Sequence, residues 1–422
     1  MATSPPATPP RDETGRPISW KRTLYALWIA QTLAIMGFSM RAPFLPFFLG
    51  DLGTESIESQ ALWSGVINAG GAGVMALSAP FWGVIADRYG RKPMVLRSMF
   101  AAMVTISLMG LATSPWHLLS LRFVEGAFTG TVTASTALVA STAPRERTGF
   151  ALGLIQTAVF SGASLGPLIG GVLAAQIGYR LTFGVAGAML AIAGLIVLFL
   201  VQERFVPVAR AAGSTGRFRG TFDVLAGRIM LMMVLSMLVI RLAGSAIQPI
   251  LPLFVGQVSG GTAGEQAALA GLILGAAGLT SAVSSVILGR LGDRVGHRPI
   301  LFWSALGGGL LYLPMVLVDA PWQLAVLQGL FGVAAGGLIP SANALVVAGT
   351  APERRGVVFG LMAGSASLGG FIGPLAGSGL AAGFGFGVAF LATGLSLILL
   401  AVALWVVVIA APGTVSRRWV RT

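Results

Sequence analysis

The chain has 422 residues, of which 55% are hydrophobic and 10% charged, and its formal net charge is +13. A soluble globular protein carries about 25% charged residues, so this chain cannot coat a water-facing surface, and at a mean hydropathy of +0.86 most of its exterior must face lipid. Its arginines sit in short clusters between apolar runs, which excludes a nucleic-acid-binding face, while the absence of cysteine excludes disulfides and thiolate metal sites and a total of 2 histidines argues against an imidazole metal cluster.

Residues 1–22 are polar and Pro-rich (Pro5, Pro6, Pro9, Pro10, Pro17), which predicts a disordered cytoplasmic tail. A membrane span takes about 20 apolar residues. Six such stretches follow near 24–49, 61–86, 93–113, 117–141, 149–174 and 180–201, and six more near 228–255, 266–291, 299–318, 322–348, 356–382 and 385–410. They define an N-terminal six-helix bundle over 23–202, a cytoplasmic linker over 203–227, a C-terminal bundle over 228–411 and a cytoplasmic tail over 412–422. The 59 glycines lie mostly inside these apolar runs, where they serve close helix packing.

Lysine and arginine placement sets the orientation. Lys21, Arg22, Arg88, Arg91, Lys92, Arg97, Arg145, Arg147, Arg290, Arg294, Arg298, Arg354 and Arg355 all fall on one side, with the arginines of the central linker and the C-terminal tail. The other side carries Asp51, Glu55, Glu58, Glu265 and Asp319, with Arg180 as its cation. Both termini are therefore expected in the cytoplasm.

The two bundles repeat one another. Pro43-x-x-Pro46 recurs as Pro249-x-x-Pro252, Asp87-Arg88-x-Gly90 as Asp293-Arg294-x-Gly296, and Pro115-Trp116 as Pro321-Trp322, each 206 residues on. Gly166-Pro167 recurs 207 residues on, as Gly373-Pro374. The expected fold is an all-α membrane protein of about twelve transmembrane helices in two parallel six-helix repeats. That arrangement places a solute site near the midplane between halves that rock.

The densest motif is Gly83-x-x-x-Asp87-Arg88-x-Gly90-Arg91-Lys92, copied as Gly289-x-x-x-Asp293-Arg294-x-Gly296. It resembles the signature loop of the major facilitator superfamily, and the resemblance extends over essentially the whole chain. Physically, Gly83 permits close helix approach and Gly90 a turn at positive φ. Asp87 is placed to cap the start of span eleven near Gly356 through the helix dipole, and Asp293 that of span five. The resemblance implies a cytoplasmic gate of Gly83, Asp87, Arg88, Gly90, Arg91, Asp293 and Arg294 that latches in the outward-open state. The alternative is a set of charges that fixes topology alone.

Gly162-x-x-x-Gly166-Pro167-x-x-Gly170-Gly171 in span five resembles the antiporter motif of exporters in this superfamily. Its copy, Gly369-x-x-x-Gly373-Pro374-x-x-Gly377 in span eleven, favours a packing role equally well. Gly37 with Pro43-x-x-Pro46, then Trp63 and Pro80-Phe81-Trp82-Gly83, carries the likeness to bacterial twelve-span drug–proton antiporters, the multidrug-resistance exporters.

Chemistry is expected where the repeat breaks. Arg41, Arg122, Glu125 and Arg241 lie inside predicted spans, and their repeat equivalents Ile247, Gln328, Phe331 and Ile35 are uncharged. A charge in lipid costs about 3 kcal/mol or more, so such groups face an aqueous cavity and pair. Arg122-x-x-Glu125-Gly126 with Gly130 resembles the family's proton-coupling motif, which implies that Glu125 carries the proton and Arg122 tunes it. A permanently ionised structural pair is the alternative. Three arginines against one glutamate favour anionic, zwitterionic or neutral amphiphiles over cations. Further cavity candidates are Gln31, Asn68, Gln156, Gln248 and Asn343, although amides also join helices.

The expectation is a proton-driven exporter of small amphiphilic compounds in a bacterial inner membrane. It needs no cofactor or metal, acts as a monomer, and has a small-molecule substrate, protons and membrane lipid as partners. A transporter or facilitator of an organic anion, sugar conjugate or lipid-linked glycan would share the fold and differ in the cavity. A nontransporting membrane receptor is a rival of another class. An enzyme would need a metal cluster or a nucleophile–base pair. No Gly-x-x-x-x-Gly-Lys-Ser/Thr loop is present, which argues against ATP as the energy source.

Overall fold

The computed structural model describes residues 19–144, 147–203, 228–350 and 354–409. The expected N-terminal tail up to residue 18, the linker over 204–227 and the whole expected C-terminal tail lie outside the described residues. Every described element of regular structure is helical. The first half runs α1 (Trp20–Ser39), α2 (Leu45–Asp51), α3 (Ile57–Tyr89), α4 (Lys92–Met109), α5 (Pro115–Phe128), α6 (Thr131–Thr142), α7 (Thr148–Ile177) and α8 (Tyr179–Leu200). The second runs α9 (Arg228–Ala246), α10 (Leu251–Ser259), α11 (Ala263–Val295), α12 (His297–Tyr312), α13 (Pro321–Gly349), α14 (Arg355–Phe384) and α15 (Phe386–Leu404).

Among the described residues, ten segments are long and apolar enough to cross a membrane. The two remaining expected spans are each made of two consecutive helices, α1 with α2 and α5 with α6. The chain is thus a multi-pass membrane protein with twelve spans in two like halves. Spans one and seven break alike, because Pro46 and Pro252 lack the N–H that a continuing helix would use and instead sit in the first turn of α2 and α10. Span four breaks at Gly130, whereas its partner α13 is continuous.

Inside each half, span five lies on span one through the same ladder. A Cβ on Gly162 or Gly166 of α7 would stand 2.8 Å from the Thr32 carbonyl or 2.7 Å from that of Met36, and Gly170 faces the Met40 carbonyl. In the second half Gly369, Gly373 and Gly377 of α14 face Leu238, Leu242 and Ala246 of α9 in the same manner. Glycines four apart share a helix face, which lets the two backbones touch. The motif of span five therefore builds the scaffold of both halves.

The halves meet at one face and part at the other. Gly171 of α7 packs on Ala267 of α11, Gly271 on the Pro167 carbonyl, and a Cβ on Gly275 would stand 3.0 Å from the Ser164 carbonyl. Across the molecule, a Cβ on Gly65 of α3 would be 2.7 Å from the Pro374 carbonyl of α14. Toward the face that carries the Asp87 and Asp293 loops, Gly83, Gly153, Gly289 and Gly360 have no neighbouring helix within 4 Å of where a Cβ would be. The cleft between the halves is open at this loop face and closed at the far face.

Candidate functional site

The break in span four shapes the charged site. Gly130 has φ +138°, which a side chain disfavours. The carbonyls that end α5 lose their helical donors there, and neighbouring helices replace them. Trp82 Nε1 donates to the Ala127 carbonyl at 2.6 Å, Ser78 Oγ to that of Gly126 at 3.3 Å, and Arg97 Nε to that of Phe128 at 3.2 Å. The Arg97 guanidinium also lies 3.5 Å from the centre of the Trp82 ring, a cation–π contact. Arg97 reads in the sequence as a topology charge, and nothing in its spacing reveals this role. Gly130→Ala is expected to cost about 1–3 kcal/mol, visible as earlier thermal unfolding in detergent.

One turn before the break, Arg122 Nη1 donates to Glu125 Oε1 at 2.7 Å. Arg41 Nη1 stands 3.3 Å from the same oxygen. Glu125 is 2% exposed and Arg122 9%. Arg41 belongs to the turn between α1 and α2, so the break in span one delivers its guanidinium to span four. Gly71 of α3 makes room, since a Cβ there would lie 2.8 Å from Arg122 Cζ. Two guanidiniums share one carboxylate, and Arg122 Nε is buried without a partner among the described residues. The cluster therefore keeps an excess positive charge inside the first half.

Arg241 is exposed on α9 and forms no ion pair among the described residues. Gln248 lies seven residues further along the same span and lines a cavity of about 280 Å3 at the closed end of the cleft. Gln156 is exposed and shares the stripe of α7 that brings Ala163 and Pro167 to this cavity. Asn343 is half-buried, eleven residues beyond Gly332 on the lining face of α13. Asn68 is half-buried and donates to the Ser64 carbonyl of its own helix at 2.9 Å. Gln31 departs from the expectation. It is 0% exposed, donates to Thr131 Oγ1 at 3.3 Å and accepts from Ser135 Oγ at 3.0 Å, so its amide ties α1 to α6 away from the cavity.

The gate residues are apart in this state. Gly90 takes φ +97° as its turn requires. Gly83 makes no close helix contact, contrary to its expected use, because the cleft is open at its level. Asp87 is exposed and bonded to no described residue, and Asp293 holds His297 Nε2 at 3.2 Å. Arg88 lies over the ring of neighbouring Tyr89, and Arg294 is exposed. The loop is anchored within its own half. Glu203 accepts from the Arg91 and Lys92 backbone N–H groups at 2.8 and 2.7 Å, capping α4 with a carboxylate. Glu203 was invisible in the sequence as a functional residue, because its partner lies 112 positions away.

Two further cavities, each of about 610 Å3, lie elsewhere. One is an apolar groove between α3 and α14 lined by Gly73, Leu77, Phe123, Leu368 and Phe371. The other sits at the far face beside Phe254, Val316 and Ala381.

Twelve spans in two like halves, with a cavity between the halves and a buried charged cluster inside the first, define a membrane transporter. The sequence profile described as Major Facilitator Superfamily matches residues 27–269 and 233–419. The chain belongs to the major facilitator superfamily. It is 35% identical over 381 residues to the "Multidrug resistance protein MdtG" of Escherichia fergusonii, covering 90% of this chain and 93% of that one. It is 37% identical over 378 residues to the protein of that name from Klebsiella pneumoniae, covering 89% and 91%. Among solved structures, a bacterial homologue of the human lysosomal transporter Spinster, in an inward-facing and occupied conformation, superposes with a TM-score of 0.73 at 16% identity, covering 91% and 96%. The human organic anion transporter TETRAN gives 0.69 at 19%, covering 92% and 100%. These two likenesses concern the fold.

Proposed function

We propose that the chain exports small amphiphilic compounds across a bacterial inner membrane, driven by protons and working by alternating access. The observation that carries this reading is Glu125, a buried carboxylate held inside the first half by Arg41 and Arg122. Intramembrane ionisable groups are retained for function. Its ligand Arg41 sits in the break of span one, so bending of that span changes the Arg41–Glu125 distance. The names of the curated relatives support multidrug export. The Lys and Arg pattern puts both termini and the loop face in the cytoplasm, so the described state opens inward, as a drug-loading state would. The cleft lies within one chain, which favours a monomer.

The closed far face is suited to reopening. Its contacts are mostly glycine against backbone, and the Ser64 and Ser378 hydroxyls of α3 and α14 are buried without partners among the described residues. Hydration of such groups on opening offsets part of the lost packing, at about 1–3 kcal/mol for each unsatisfied group. In the outward state Asp87 and Asp293 would reach the starts of α14 and α7 and latch the loop face.

The test uses purified protein in liposomes that hold a pH-sensitive dye. An inside-acidic gradient is imposed and anionic, neutral and cationic amphiphiles are added in turn. Compound-dependent proton movement supports antiport; solute flux without protons favours a facilitator. Arg241 favours a second reading, a carrier of organic anions, because it is exposed on the span that brings Gln248 to the cavity and forms no ion pair among the described residues. Arg241→Gln is expected to weaken transport of anionic compounds about ten-fold or more, as for a lost hydrogen bond to a charged group, and to leave neutral ones nearly unchanged. Equal losses for both classes would remove the anion contact.

A further inference from the structure

The second half has its own counterpart of the Arg122–Glu125 site, and its chemistry differs. At the equivalent positions stand Gln328 and Phe331, and Tyr312 takes the place of Ile106. These three side chains, with Gln248 and Ser281, line the cavity of about 280 Å3. Tyr312 is 2% exposed and forms no hydrogen bond with any described residue, although it packs its ring on Phe331 at 4.7 Å between centroids. A phenol that opens on a cavity without a protein partner is free to donate to what fills that cavity, water or a ligand. Gln328 is also buried, and its one bond is a weak one from Nε2 to Met315 Sδ at 3.6 Å, which leaves its carbonyl oxygen unused. The first half contributes Ala163 and Pro167 of α7 to the same wall. Pro167 has no N–H, so the Ala163 carbonyl lacks its usual helical donor.

We infer that this cavity binds the uncharged, ring-bearing part of the transported compound. That part carries a hydrogen-bond acceptor for Tyr312 and a donor for the Gln328 oxygen or the Ala163 carbonyl. Phenols, lactams and aryl amides have this chemistry. The inference rests on the transporter reading and adds a division of labour: the proton is handled in the first half and the neutral group is held in the second. A ligand there touches α7 of one half and α12 and α13 of the other. Its presence therefore acts on the seam where Gly271 and Gly275 meet α7.

The test measures binding of 2-naphthol, neutral and fluorescent at pH 7, to the protein in lipid nanodiscs, with naphthalene as the probe without polar atoms. The saturable component separates the site from partition into lipid. The native protein is expected to bind 2-naphthol saturably. Tyr312→Phe and Gln328→Leu are each expected to weaken it about three- to ten-fold, the worth of one hydrogen bond, with naphthalene affinity unchanged. Thermal unfolding of Tyr312→Phe is expected to match the native protein, because the hydroxyl has no partner to lose. Absent saturable binding, or unchanged 2-naphthol affinity in both variants, overturns the site. If compound-dependent proton movement persists in that case, the export reading survives alone. If binding follows the expected pattern without any proton movement, the site stands and the coupling falls.

Discussion

Liposomes loaded with Glu125→Gln protein are expected to show no compound-dependent proton movement. The native protein should give it under the same inside-acidic gradient. Glutamine keeps the shape and a hydrogen-bonding oxygen but neither charge nor a proton to exchange. The substitution also leaves two guanidiniums buried together without a carboxylate. Removing one partner from a buried pair costs about 3–5 kcal/mol, so a silent variant alone would be ambiguous. Glu125→Gln combined with Arg41→Gln restores the original net charge of the cluster. The double variant is expected to regain thermal stability and to remain uncoupled. Restored stability with native proton movement would assign Glu125 to structure alone and move the coupling proton elsewhere.

The second large effect is conformational. Gly171 lies on the backbone of Ala267, at the seam that closes the far face. Gly171→Leu places a branched side chain where no space exists, and overpacking of this kind costs about 1–3 kcal/mol in the state that contains it. The state open at the far face does not contain that contact. A shift of about 1.4 kcal/mol changes the ratio of the two states ten-fold. The chain has no cysteine, so single introduced cysteines report without background. Gln156→Cys, exposed in the cleft, should label several-fold more slowly in the Gly171→Leu background. Ser378→Cys, buried at the seam, should label several-fold faster. Unchanged rates at both positions would show that the seam does not set the balance between states.

The glycine ladders show how far spacing alone reaches. Gly162, Gly166 and Gly170 are four apart and so share a face whatever they touch. Their duplication in span eleven left a packing role open beside the antiporter one, and in the structure both sets touch a backbone, that of α1 and that of α9. Gln31 shows the opposite. An isolated amide inside a span reads alike whether it lines a cavity or joins two helices, and the choice depends on Thr131 and Ser135, about a hundred positions away. Tyr312 was equally silent. A tyrosine at the end of an apolar run looks like core or membrane interface until its neighbours leave its hydroxyl unpaired.

The sequence by itself determined the membrane setting, the twelve spans, the duplication and the presence of charged residues inside the spans. Each of these follows from local hydropathy, from a fixed offset or from the cost of a charge in lipid. Only the tertiary structure decided which face is closed, because that depends on which glycines of different halves meet. It also decided that Arg41 joins Arg122 on Glu125, that Arg97 and Trp82 finish the broken end of α5, and that Glu203 anchors the gate loop. These contacts join helices far apart in the chain, and their geometry is set by packing that no local pattern encodes.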